Sequence, residues 1–280
     1  MKLHVAHSGM FKLDGGAMFG VVPKTIWNKL NPADENNMCS WAMRCLLVED
    51  GNRLILIDTG IGDKQDKRFF SFFHLHGNDT LKGSIEKAGF SMTDITDVLL
   101  THLHFDHCGG ALTFNEDRSK IKTTFPNATY WSDEGHWQWA TKPNVREKAS
   151  FLSENILPLQ ESGQLKFTDR NKSPFENIDI LYVDGHTDKQ MIPHIRYKDQ
   201  TVVFTADLLP SVGHLPLPYI MAYDTRPLLS MKEKEDFLNK ALEKKFVLFF
   251  GHDPVHECCS LQQTEKGIRP ERTFALQEIF

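Results

Sequence analysis

The segment Thr101-His-Leu-His-Phe-Asp-His-Cys-Gly-Gly places His102, His104, Asp106 and His107 within six positions, directly after the apolar run Val98-Leu-Leu. A lone loop histidine usually makes surface hydrogen bonds, whereas four imidazole and carboxylate groups at one strand end can be aimed at a common point and hold metal. His102 and His104 are two apart, so an extended backbone turns both to one side, where they can share one ion. Asp106 and His107 fall at a turn ahead of Gly109 and Gly110, where the chain can make a close approach and enter a helix. This second pair can face a neighbouring ion.

The pattern of an apolar run closed by a ligand-type side chain recurs along the chain. Leu54-Ile-Leu-Ile leads into Asp58, Ile180-Leu-Tyr-Val into Asp184 and His186, Val202-Val-Phe-Thr into Asp207, and Phe246-Val-Leu-Phe-Phe into His252. In proteins that mix sheets and helices, sites gather where the carboxyl ends of strands converge. One site assembled from the whole chain is therefore expected. Nitrogen and oxygen ligands suit Zn²⁺ and also Fe or Mn, and without thiolates the centre reads as open and catalytic rather than structural. Cys39, Cys45, Cys108, Cys258 and Cys259 form no CxxC pair and are expected to be reduced, buried apolar residues.

The elements that must position these groups are legible as short apolar runs and amphipathic stretches. Strands are expected at 46–48, 54–57, 98–101, 178–183, 201–205 and 246–250, several apolar enough to be covered on both faces. Helices are expected at 80–88, 110–114, 133–140, 145–157 and 231–244. No repeat or Gly/Ser linker divides the chain, so one domain over 1–280 is expected. A formal charge of -5 and a pI near 6.2 exclude a broad polyanion-binding surface, which needs clustered Lys and Arg. With no signal-peptide run and no membrane-length apolar stretch, the expectation is a cytoplasmic protein acting on a small molecule, with neither nucleic acid nor membrane as partner.

The HxHxDH signature at His102 to His107, preceded by LIDTG and followed in order by GHT, AD and GH, resembles the metallo-β-lactamase superfamily over nearly the whole chain. That resemblance implies an α+β (α/β) fold, a four-layer αββα sandwich with the site at one edge between two sheets. It further implies two divalent metal ions, zinc first, with iron or manganese as alternatives. His102, His104 and His186 would bind one ion and Asp106, His107 and His252 the other. Asp207 would bridge both, and Asp58 would support ligands from behind. The opening KLDGGAMFGVVPK, the LLVEDGNRLILIDTG stretch and AYDT at 222–225 look like the branch of quorum-quenching lactonases and methyl parathion hydrolase. Two departures stand out: the longer GHTxGH element lacks its second His, and AD replaces the commoner GD. True β-lactamases fit poorly, since one subclass needs Cys where Asp207 stands and the others lack a bridging Asp. Flavodiiron reductases use Glu at the position of His104.

The implied chemistry is attack by a metal-bridged hydroxide on a lactone or related ester, with phosphotriesters as a side activity and Asp106 or Asp207 passing a proton to the leaving group. A thioesterase like glyoxalase II shares the ligand set and would need a basic site for glutathione. A sensor that keeps the metal without turnover is the third reading. The clusters Phe69, Phe70, Phe72, Phe73 and Trp131, Trp137, Trp139 could wall a pocket, form core, or bury a homodimer contact. Tyr223 is a candidate to hydrogen-bond a substrate oxygen. His4, His7, His74, His76, His136, His194, His214 and His256 are expected to be structural.

Overall fold

A computed structural model describes residues 1–279. The first half of the chain builds β1 (Lys2–Asp14), β2 (Met38–Asp50), β3 (Arg53–Ile57), β4 (Asp97–Leu99), the ribbon β5 (Leu112–Phe114) with β6 (Ile121–Thr123), β7 (Thr129–Ser132) and β8 (Leu165–Phe167). The second half adds β9 (Ile178–Val183), β10 (Gln190–Tyr197), β11 (Gln200–Phe204), β12 (Val247–Phe249), β13 (Cys258–Thr264) and β14 (Gly267–Phe274). The helices are α1 (Gly15–Phe19), α2 (Lys24–Trp27), α3 (Lys67–Ser71), α4 (Leu81–Lys87), α5 (Phe105–Cys108), α6 (Glu134–Thr141), α7 (Ser153–Glu161) and α8 (Pro227–Glu243). Two six-stranded sheets result, ordered β1-β2-β3-β4-β7-β8 and β14-β13-β12-β11-β10-β9.

The two-residue period of the strands sorts side chains into layers. In the first sheet Leu46, Val48, Ile55, Ile57 and Leu99 join Ile192, Val203 and Phe204 of the second in one apolar core, which continues to Phe237, Leu238 and Ala241 of α8. The alternate residues Cys45, Leu47, Leu54, Leu56 and Val98 face the other way, onto Ile85 of α4, Trp137 of α6 and Ile156 and Leu159 of α7. Helices, sheet, sheet, helix is the order of layers. A third cluster, with Phe11, Met18, Phe19, Trp27, Trp41 and Phe105, closes one end of the sandwich.

Parallel pairs bring together strands that lead into ligand-type residues in each sheet. β3 and β4 run side by side with Ile57 opposite Leu99, and β11 and β12 with Phe204 opposite Phe249. His102, His186, Asp207 and His252 each fall three residues past the last residue of β4, β9, β11 and β12. Equal overhang from strands in register delivers them to one edge.

Two helix expectations need correction. Residues 110–114 are not helical: a 3-10 turn at Gly109–Ala111 gives way to β5, because Thr113 and Phe114 satisfy their backbone in the ribbon with β6. The helix expected at 145–157 starts only at Ser153; the residues before it form a loop pinned by Asn144, whose Oδ1 accepts from the backbone of Arg146 and Glu147. All five cysteines are buried and unpaired by disulfides.

Candidate metal centre

Asp58 shows how the local sequence is shaped to serve the site. It sits at φ 60°, and its Oδ1 accepts from Thr101 N at 2.8 Å while Oδ2 takes Thr101 Oγ1 at 2.9 Å and His107 Nδ1 at 2.8 Å. The carboxylate therefore ties the end of β3 to both halves of the HxHxDH segment. A Cβ on Gly109 would lie 2.0 Å from Ile61 O, and one on Gly110 2.2 Å from Thr59 O, so only glycine lets this loop wrap the motif. Gly109→Ala is expected to destabilise the fold by about 3 kcal/mol, as a forced backbone shift does, measured by denaturant unfolding; wild-type stability would refute the close packing.

On the second sheet, Gly185 lies against Ser230 of α8 and its N–H donates to Glu233 Oε2 at 2.9 Å, fixing the turn that presents His186. Before Asp207, Ala206 adopts φ 43°, a left-handed conformation costly for a residue with a Cβ. That backbone accounts for the commoner glycine at this place in the resembling family. Thr205 Oγ1 clamps the turn by donating to Leu209 O at 2.7 Å and Phe249 O at 3.0 Å.

The structure brings His102, His104, Asp106, His107, His186, Asp207 and His252 together, in overlapping groups able to hold a metal ion: His102, His104 and His186; His102, His107 and Asp207; Asp106, His107 and His252. Asp207 reaches into both sides. Its Oδ2 lies 3.3 Å from His186 Nε2 and 4.0 Å from His102 Nε2, and its Oδ1 3.2 Å from both His107 Nε2 and His252 Nε2. His186 Nε2 is 3.2 Å from His104 Nδ1, His252 Nε2 is 3.0 Å from His107 Nε2, and Asp106 Oδ2 is 3.6 Å from His252 Nε2 and 3.7 Å from His107 Nε2. Tetrahedral ligands at about 2.0–2.1 Å from an ion stand roughly 3.3 Å apart, the spacing found here. His102 Nε2 and Asp207 Oδ1 are buried without hydrogen-bond partners, as suits atoms kept for a cation. The donor set fits divalent metal.

Electrostatics divides the histidines. Burial lowers the pKa of His102 well below the imidazole range, helped by His107 and His104, and it also lowers His104. Burial acts the same way at His107, His186 and His252 but is overcome by carboxylates, Asp207 foremost, so these three are raised. Burial would raise Asp207, yet His107, His252 and His186 pull it well below the usual carboxylate range.

Outer nitrogens are also held. His107 has Asp58; His252 Nδ1 donates to Ala42 O at 2.7 Å; His186 Nδ1 meets Asp224 Oδ1 at 2.9 Å. Asp224 belongs to the AYDT segment, in which sequence reasoning singled out Tyr223 and passed over its neighbour, whose burial only the fold reveals. Glu147, 3.5 Å from His104 Nε2, was also missed, hidden in a stretch read as helix. Burial works against its charge, but His104, Thr187 and Asn144 bring its pKa down to about 2. Asp184 stays outside the centre, paired with Lys189 at 2.7 Å.

The centre floors a cavity of about 390 Å³ lined by Leu13, Met18, Phe73, Phe105, Met221 and Tyr223. Phe73 and Phe69 pack on Phe105, whereas Phe72 is exposed. Trp131, Trp137 and Trp139 do not line it. His136 is structural: its Nε2 accepts from Leu103 N at 2.8 Å, between two ligand candidates, and burial lowers its pKa to about 4. His214 is stacked on Phe19 and bonded to Ser211 and Met18. His256 lies outside the cavity lining.

The sequence matches the profile of the metallo-beta-lactamase superfamily over residues 44–252, and the chain belongs to that superfamily. Its fold is the metallo-β-lactamase fold, and the protein is a metallo-hydrolase of the superfamily. An N-acyl homoserine lactonase of Bacillus cereus is 23% identical over 241 residues, covering 81% of this chain and 86% of that protein. A probable metal-dependent hydrolase from Staphylococcus aureus superposes with a TM-score of 0.89 at 25% identity, over 100% of this chain and 98% of that one. A dizinc quorum-quenching lactonase, in complex with a product N-hexanoyl-L-homoserine, superposes with a TM-score of 0.79 at 24% identity, over 98% and 95% of the two chains. Among the described residues no helix is long and apolar enough to cross a membrane.

Proposed function

We propose that the protein hydrolyses a lactone or a related carboxylic ester at a dinuclear metal centre. The observation that carries this reading is Asp207, which offers one carboxylate oxygen to each group of histidines at the floor of a largely apolar cavity. His102, His104 and His186 hold one ion, Asp106, His107 and His252 the other, with zinc the metal best suited to this set. When bound, the ions supply Lewis acidity, bringing the pKa of water to about 7 and stabilising charge on the carbonyl oxygen.

The chain does the rest. Leu13, Met18, Phe73, Phe105 and Met221 take the apolar part of the substrate and exclude bulk water from the ester. The Tyr223 hydroxyl lines the cavity, and a phenol keeps its proton at neutral pH, so it donates to a substrate oxygen. Asp106 turns Oδ2 to His107 and His252, which leaves Oδ1 to take a proton from the attacking water and pass it to the departing alkoxide. Lys234 donates to the carbonyls of Pro216 and Tyr219, at 2.8 and 3.0 Å, and so steadies the loop that bears Tyr223.

Proton release in weak buffer tests the proposal, with zinc-loaded protein against lactones, phosphotriesters and thioesters, because each hydrolysis acidifies the medium. Fastest acidification with lactones is expected. A thioester preference would replace the reading by the thioesterase one, and silence from metal-loaded protein would refute the substrate class.

A further inference from the structure

We propose that Glu147 is a positioning residue that fixes which nitrogen of His104 faces the metal centre; the inference rests on the reading of His104 as a ligand. The two ring nitrogens have different surroundings. Nδ1 lies 3.2 Å from His186 Nε2, inside the group of ligands, while Nε2 points away and stands 3.5 Å from Glu147 Oε1. Both His104 Nε2 and Glu147 Oε1 are buried, and among the described residues neither has a hydrogen-bond partner of its own. A neutral imidazole carries one proton, on one nitrogen or the other. With the proton on Nε2, the ring donates to Glu147 and keeps the Nδ1 lone pair for a cation. With the proton on Nδ1, that lone pair is lost and two acceptors face each other in a buried space. An acceptor-only carboxylate therefore selects the tautomer that can ligate.

Glu147 is held for this task. Its Oε2 receives Trp139 Nε1 at 2.7 Å and Asn144 Nδ2 at 2.6 Å, and its backbone N donates to Asn144 Oδ1 at 3.1 Å. With Oε2 engaged by two donors, Oε1 is the oxygen turned to His104. The same loop holds the ring in other ways. Ser150 O accepts from Phe105 N at 3.0 Å, and the Phe151 ring packs on the imidazole with centroids 4.8 Å apart. Arg146 donates to the carbonyls of Ala222 and Asp224, and the Asp224 carboxylate meets His186 Nδ1. This loop thus supports His104 directly and His186 through Asp224.

The test is Glu147→Gln. The glutamine oxygen stays with the Trp139 and Asn144 donors, so its NH₂ faces His104 Nε2 and favours a proton on Nδ1. Chelator competition on the zinc-loaded protein is expected to show a 10- to 100-fold loss of affinity for one ion, with the other unchanged. Trp139→Phe, which keeps an aromatic ring but removes the indole N–H, is expected to lower the same affinity by a smaller factor, and it carries the test should Glu147→Gln fail to fold. Wild-type affinity for both ions in a folded Glu147→Gln, or in Trp139→Phe where that variant stands in, would overturn the positioning role and leave His104 as a ligand. Unchanged affinities in His104→Ala would overturn the ligand reading and the proposal with it.

Discussion

Asp207→Ala is expected to lower kcat/KM by at least a thousandfold, a loss of about 4 kcal/mol in transition-state stabilisation. Its two oxygens are shared between two groups of histidines, so the substitution removes a donor atom from each at once. The same change leaves His107, His186 and His252 without the carboxylate that does most to offset their burial, so these rings become a site of mutual repulsion when protonated. Truncating Asp58 acts at one remove, through Thr101 and His107, and the expected loss there is about 10- to 100-fold. The proton-release assay, paired with a metal count, separates the two variants. Retention of a tenth of wild-type activity in Asp207→Ala would rule out the bridging role.

How much of this was legible in the sequence depends on what each residue needs. A ligand must be histidine or aspartate, and it must follow a strand that stops in the right place, so His102, His186, Asp207 and His252 announce themselves behind apolar runs. The strands buried on both faces, such as β3 and β12, are continuous enough to read. The first half of β2 and the strands β1, β10, β13 and β14 are not, because polar or exposed residues break the run: β14 has Arg269, Glu271 and Arg272 between Ile268 and Phe274, and β10 carries Pro193 and Arg196. Supporting groups are hardest to see. Asp224 acts through one hydrogen bond, and Glu147 through one 3.5 Å approach, on a histidine 38 and 43 positions away, and nothing local to either residue marks that partner. Ala206 is the inverse case, where an unremarkable residue hides a left-handed backbone that a single sequence cannot report.

Removing the metal is expected to lower the melting temperature by 10 °C or more. Ions that bind only the folded chain stabilise it by about 4 kcal/mol per site at a thousandfold excess over Kd, and each kcal/mol moves a chain of this size by roughly 2–4 °C. In the metal-free chain protons take the place of the ions among the ligand groups, so its melting temperature depends on pH. His107, His186 and His252 have raised pKa values, so their contribution to the metal-free fold is present below the unfolded imidazole value of about 6.5 and is lost as pH rises through the folded values. Metal affinity runs the other way, since the same nitrogens must lose their protons before they can ligate. Both effects widen the gap between holo and metal-free melting temperatures from about pH 6 to pH 8. Thermal scans with and without chelator across that range measure it directly. A gap that is absent, or that narrows as pH rises, would show that these histidines do not hold the ions.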